Sequence, residues 1–300
     1  MATPTTLATI HPWAKGIAVD AGFVYWTDWH DNSPGTLATG RVGRATIDGG
    51  SVTILAEARG LPGPIAVHNG FLFWLAPEQV RRMNLDGTEN QLLASPLFPT
   101  SLAIDARAVY FNDAKAGTVN SVPLAGGAVS VLASGLQKPV GIAVDLNDVV
   151  FSECPEGAPE SGTVSRVPMG GGPVTVTATG QDRPRDLTVD DADVYWNTSG
   201  AVHRAPLAGG PTTLVARAPS GLGLSSFWLD TDYLYLAWIG EPGKHQGGVG
   251  RVLRGTDALE TLATGQAWPD KLIADATNLY WLNLDPGAIL RLPKTAPAIP

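Results

Sequence analysis

A single cysteine, Cys154, stands in 300 residues, so no internal disulfide framework and no multi-cysteine metal site can form. Charged residues make up only 16% of the chain, and 20 Lys and Arg face 28 Asp and Glu for a net charge of −8. No basic stripe offsets that balance, so nucleic acid is not expected as a partner. No apolar run approaches the roughly 18 residues of a membrane span, and no membrane partner is expected. The chain also lacks a Gly-x-Ser-x-Gly elbow and a phosphate-cradling loop leading into a helix. No helical period is found anywhere in it.

Glycine and proline are plentiful, 35 and 24 residues, as in a chain that turns every few residues. What fills the space between turns is a repeat. The stretch Gly16-Ile-Ala-Val-Asp-Ala-Gly-Phe-Val-Tyr-Trp-Thr-Asp28 reads as a strand, a tight turn and a second strand. It recurs with an anchor at Asp20, His68, Asp105, Asp145, Asp190, Asp230 and Asp275, at intervals of 48, 37, 40, 45, 40 and 45 residues. Those intervals fall in the range of one propeller blade, roughly 40–50 residues. Five residues after each anchor stands Tyr25, Phe73, Tyr110, Val150, Tyr195, Tyr235 or Tyr280. The next position holds Trp26, Trp74, Phe111, Phe151, Trp196, Leu236 or Trp281. Aromatic and β-branched residues at fixed offsets are strand material.

A third strand carries Arg44, Arg82, Arg166, Arg204, Arg251 or Arg291, with Ser121 in the third copy. Turns such as Asp48-Gly49-Gly50 and Gly126-Gly127 follow, then a fourth apolar run. Gly tolerates the positive φ such hairpins need. Four short strands in each of seven copies describe a seven-bladed β-propeller, all-β, with four-stranded antiparallel blades. Residues 1–300 are expected to form one domain. Thr5-Thr-Leu-Ala-Thr-Ile10 resembles the fourth strands of other copies, while the last copy, Leu272 to Pro293, has three. The N-terminal strand is therefore expected to complete the last blade and close the ring, leaving no missing edge.

Tyr25-Trp26-Thr27-Asp28 is the motif that names the YWTD propellers, and the Gly-Ile-Ala-Val-Asp strands at Gly16 and Gly141 are similar to those of NHL-repeat and gluconolactonase-like propellers. The resemblance covers nearly the whole chain and is one of fold. It implies a superfamily that includes receptors, scaffolds, lactonases and lyases, and whose members are often exported. Secreted or periplasmic placement is thus expected, as a mature bacterial-type protein behind a new methionine, because Met1 to Thr6 has no basic region and no apolar h-region. The alternative is cytoplasmic. A monomer is expected. The gluconolactonase-like resemblance also implies a divalent ion held by acidic and amide side chains, two of which stand just before an inner strand. The matching positions are Lys15, Gly63, Thr100, Val140, Arg185, Ser225 and Asp270, of which only Asp270 offers a carboxylate. No cofactor is therefore expected, while a different hard-ion set, Asp28, Asp113, Glu153, Asn197 and Asn283, stays open.

The recurrent Asp anchors are expected to cap turns, and the recurrent Arg residues to make one repeated inter-strand or inter-blade contact. Neither set points to a ligand. Strand polarity brings the linkers into strand one and the loops after strand two to one face, and three of those loops are long: 29–40, 154–162 and 239–248. Function usually sits on such loops. Candidate ligand-binding residues there are Asp28, Trp29, Asp113, Arg185, Asn197, Trp238, His245 and Trp268. Five tryptophans fall outside the repeat: Trp13, Trp29, Trp228, Trp238 and Trp268. For acid–base chemistry the candidates are Glu153, two residues beyond apolar Phe151, and His30, since histidine titrates near neutral pH. Cys154 would need a base partner to act as a nucleophile. The reading this supports is recognition of a small organic or carbohydrate-like ligand at a tryptophan-walled face. The alternatives are an enzyme (lyase, cyclase or hydrolase) with a carboxylate or histidine, Glu153 or His30, as its acid–base catalyst, and a protein-interaction scaffold.

Overall fold

The second strand of every repeat is buried on both faces. Consecutive strand residues point to opposite faces, and the fourteen residues of the seven pairs Tyr25-Trp26 through Tyr280-Trp281 are each no more than 2% exposed. A sheet buried on both sides must be sandwiched between others, and each such aromatic contributes about 1.5–3 kcal/mol by leaving water. This computed structural model describes residues 3–20, 22–30, 39–241 and 243–299, without the side chains of His30, Ala58 and Arg59. It is all-β, with seven four-stranded antiparallel sheets, a seven-bladed β-propeller.

The chain divides into two compact units. One, residues 1–65 and 216–300, holds blades one, six and seven; the other, 66–215, holds blades two to five. In the first unit the strand Thr5–Thr9 pairs antiparallel with Ala288–Pro293, completing a sheet whose other strands are Asn278–Asn283 and Pro269–Ala274. Leu7, Ala8 and Ile10 are buried in one cluster with Ile17, Val24 and Trp26 of blade one and with Tyr280, Leu282 and Ile289 of blade seven. The N-terminal strand thus closes blade seven, and the same cluster packs blade one against it.

Adjacent blades are also stitched by hydrogen bonds at one end of strands one and two. Thr27 Oγ1 donates to Gly63 O (2.6 Å), Thr100 Oγ1 to Pro139 O (3.0 Å), Asn112 Nδ2 to Gly141 O (2.9 Å), Ser152 Oγ to Pro184 O (2.8 Å) and Ser225 Oγ to Pro269 O (2.6 Å). Each ties one blade to the linker or first strand of the next. The Arg residues of the third strands make the repeated contact expected of them at the other end: Arg82 donates to Leu124 O (2.8 Å), Arg251 to Lys294 O (2.6 Å) and Arg291 to Ile47 O (2.5 Å). Arg82 and Arg251 lie over the rings of Phe71 and Tyr233, at 4.6 and 4.8 Å. Arg166 instead pairs with Asp148 at 2.5 Å.

The Asp anchors cap their turns. Asp275 Oδ1 accepts the N–H groups of Thr277 and Asn278, both at 2.7 Å, and Oδ2 accepts the Tyr280 hydroxyl at 2.7 Å. Asp105, Asp145, Asp190 and Asp230 accept the same pair of N–H groups, two and three residues on.

Candidate functional site

The linkers into strand one set the site. Seven residues before the anchors stand Trp13, Leu61, Phe98, Lys138, Arg183, Gly223 and Trp268. Four of these are left-handed: Trp13 (φ 81°), Lys138 (56°), Arg183 (45°) and Trp268 (54°). Left-handed backbone is uncommon outside glycine and is strained for a bulky side chain. Here it recurs in four of the seven copies, and in blades four, five and seven a β-bulge follows it, whereas the first strand of blade one pairs in regular register. Bulges re-aim side chains. The fold thus holds the conformation and leaves the side chain free to vary. Tryptophan fills the position only in blades one and seven, whose first strands are neighbours.

These two tryptophans line one cleft in the first unit. It has a volume of about 160 Å³ and is walled by Pro12, Trp13, Gly243, Trp268, Leu284 and Asp285. A narrower recess adjoins it, sharing Gly243, Trp268 and Asp285 and adding Glu241, His245, Gln246 and Gln266. Trp13 is 48% exposed. Trp268 is held more firmly: its indole N–H reaches Gly240 O at 3.4 Å, and its own carbonyl accepts the Leu284 N–H at 3.1 Å. Lys244 and Glu241 form an ion pair, and Gln246 Oε1 accepts the Glu241 N–H at 3.2 Å, which folds the blade-six loop beside the cleft. Beneath it, Gln266 Oε1 accepts from Trp281 Nε1 and Asn283 Nδ2 at 3.3 and 3.2 Å. The Asp285 carboxylate is exposed, and no hydrogen bond or ion pair to it is found among the described residues.

The other candidate residues lie as follows. Asp28 is fully buried; Arg41 grips both its oxygens, at 2.9 and 2.7 Å, and Oδ2 also accepts His11 N–H at 3.0 Å. Trp29 is half-buried with its ring 5.4 Å from that of His11. Trp238 is 3% exposed and lies across the third strand of its own blade, where a Cβ on Gly248 would meet its Cζ2 at 2.4 Å. The His30 side chain and residues 31–38 lie outside the described residues. In the second unit, Asp113 accepts the N–H groups of Leu97 (2.6 Å), Phe98 (3.1 Å), Lys115 (3.1 Å) and Ala116 (3.0 Å). Glu153 accepts Gln137 N–H at 2.6 Å and the Thr163 hydroxyl at 3.1 Å. Asp28, Asp113 and Glu153 therefore share a task, holding the linker of their own blade. Asn197 is fully buried, with Nδ2 3.5 Å from Asp186 Oδ2, and Arg185 is exposed. Burial pushes the Cys154 thiol up, against the pull of Arg185, Lys138 and Arg183.

Of the residues picked from sequence, Trp268 and His245 come together; Trp13, Leu284 and Asp285 join them. Trp13 had a sequence signal, its equivalence to Trp268 in the repeat. Asp285 had none, being one polar residue in a turn. The lactonase-type ion does not fit the matching positions. Thr100 and Ser225 donate their hydroxyls to backbone carbonyls, and Lys15 and Arg185 are cations, which would repel a metal.

No family model matches the chain, and no curated protein matches it in sequence. Among solved structures the chain is similar in fold to YWTD-like and streptogramin-lyase-like β-propellers. Streptogramin B lyase is 12% identical over 98% of both chains, with a TM-score of 0.74. Virginiamycin B lyase from Staphylococcus aureus is 14% identical over 97% of this chain and 98% of that one, with a TM-score of 0.73. A nidogen/laminin complex is 20% identical over 65% of this chain and 76% of that one, with a TM-score of 0.52.

Proposed function

We propose that this propeller binds a small organic or carbohydrate-like ligand between Trp13 and Trp268. The observation that carries the reading is the convergence of two tryptophans that the fold does not require on one cleft with a carboxylate, Asp285, that has no partner among the described residues. Ligand sites are apolar concavities with a few placed polar groups. At about 160 Å³ the cleft is smaller than the roughly 300–1,000 Å³ of drug-sized sites. It therefore suits a small molecule, or one end of a larger one. The test is a fluorescence and calorimetric titration of amine and sugar fragments against the wild type, Trp13→Ala and Trp268→Phe. A binding fragment should lose at least about tenfold in affinity in Trp13→Ala, equivalent to about 1.4 kcal/mol, at an unchanged melting temperature. Equal affinity in wild type and both variants would place binding elsewhere.

The enzyme reading is favoured by one feature, His245 in the recess beside Glu241 and Asp285, and the fold likeness to two lyases fits it. A histidine next to carboxylates is suited to general acid–base work. On this reading His245→Ala abolishes turnover and keeps fragment binding; a variant with full turnover removes His245 from the chemistry.

A further inference from the structure

The walls of the cleft also discriminate between ligand classes. A sugar presents several hydroxyls, and each one buried without a partner is unfavourable. The larger part of the cleft offers side chains of Pro12, Trp13, Trp268 and Leu284, a bare Gly243, and one polar side chain, Asp285. One carboxylate cannot satisfy a ring of hydroxyls, but it can neutralise a positive charge. Indole faces attract cations through the ring quadrupole, more strongly when water is excluded.

Charge is arranged to match. Among the described residues, no Lys or Arg lines either part of the cleft. Lys244, next to lining residue Gly243, is spent on Glu241. Blades four and five carry Lys138 and Arg183 at the repeat position that holds Trp13 and Trp268, so the same backbone geometry presents cations there and tryptophans here. With the chain at −8, the surrounding field favours a positive ligand.

We infer that the cleft takes a small organic cation, an ammonium group on an apolar body, seated between the two indoles with its charge on Asp285. This rests on the ligand-cleft reading above and adds the charge of the ligand to it.

Choline and its neutral isostere 3,3-dimethylbutan-1-ol separate the two statements, with methyl β-glucoside as the sugar probe. Each is titrated into the full chain at low salt, by tryptophan fluorescence and calorimetry. Choline is expected to bind at least tenfold more tightly than the isostere. Asp285→Asn should remove that preference at an unchanged melting temperature, and Trp13→Ala should weaken choline tenfold or more. Should Asp285→Asn lower the melting temperature, Asp285→Ser and added salt provide the second reading, since both should erode the choline preference alone. Isostere or glucoside binding as tightly as choline, with dependence on Trp13 or Trp268, would overturn the cation inference and leave the ligand cleft standing. No response to any probe that depends on either tryptophan would overturn both.

Discussion

At the scale of single residues, the Asp anchors show how one carboxylate holds a turn. Asp275 satisfies two backbone N–H groups and the Tyr280 hydroxyl at once. Burial works against its ionised form, but the Tyr280 hydroxyl and the Thr277 and Asn278 N–H groups outweigh it and hold its pKa below the usual carboxylate value. Asp230 is lowered in the same way, against burial, by Lys294 and the N–H groups of Tyr233 and Asp232. A carboxyl more acidic in the folded state stabilises the fold above its unfolded pKa, near 3.9. That stability is lost as pH falls through the lower folded value. The melting temperature should therefore drop from about pH 4 downward. Asp275→Asn should cost about 1 kcal/mol at pH 7, since Asn keeps one acceptor, and should flatten the acid limb of the curve. Parallel acid limbs for wild type and variant would show that Asp275 has the same pKa folded and unfolded. A second residue-scale prediction concerns Gly43, where a Cβ would lie 2.4 Å from Trp26 Cζ2 and 2.7 Å from Cε2. Trp26 is buried at 1% exposure and has nowhere to shift. Gly43→Ala should lower stability by about 1–3 kcal/mol through overpacking, read by denaturant unfolding; an unchanged midpoint would mean that the strand moves to accommodate it.

At the scale of strands, the N-terminal segment gives the clearest prediction. Thr5–Thr9 supplies the outer strand of blade seven, and Leu7 and Ile10 enter the core between blades seven and one. Removing residues 1–10 should bare the edge of Ala288–Pro293 and open that core, lowering the melting temperature and driving association by edge pairing. Chromatography and thermal melts would show both, and a truncated protein that keeps the elution volume and melting temperature of the full chain would mean that blade seven holds without its fourth strand. This closure was legible in the sequence because strand pattern survives separation along the chain: Thr-Thr-Leu-Ala-Thr looks like a fourth strand wherever it occurs. Register was harder to see. Sequence reading grouped Asn197 with Asp28, Asp113, Glu153 and Asn283. The pairing of Asn197 with Arg185 puts it one position earlier, in line with Thr27, Asn112 and Ser152. One residue changes the face in a strand, so the Asn197 side chain lies on the face of Thr27, Asn112 and Ser152 and not on that of Asp28, Asp113 and Glu153. The cleft was half legible for a related reason. Tryptophans outside the repeat stand out, but which of them face one another depends on the left-handed linkers and bulges, and no spacing rule records those. Trp238 followed the same cue and packs within its blade.

At the scale of the molecule, the question is which candidate residues act on a ligand and which hold the propeller. Both kinds are polar or aromatic residues at the ends of strands, so composition cannot separate them; partners can. Trp13 and Asp285 line a cleft without structural partners among the described residues. Glu153 has both carboxylate oxygens engaged, by Gln137 N–H and the Thr163 hydroxyl, in the manner of Asp113 in the preceding blade. Glu153→Gln keeps the shape and one acceptor oxygen but turns the other into a donor, which cannot accept the Gln137 N–H or the Thr163 hydroxyl in its place. If Glu153 is architectural, this change should lower stability by about 1 kcal/mol, the net worth of one such bond, while fragment affinity in the folded protein stays that of wild type. Trp13→Ala should do the reverse, losing affinity at full stability. Denaturant unfolding and calorimetry on the two variants, side by side, make a two-by-two comparison in which each acts as the control for the other. A Glu153→Gln protein of full stability that no longer binds or turns over its ligand would return Glu153 to the site, as the acid–base group that its place at the end of strand two first suggests.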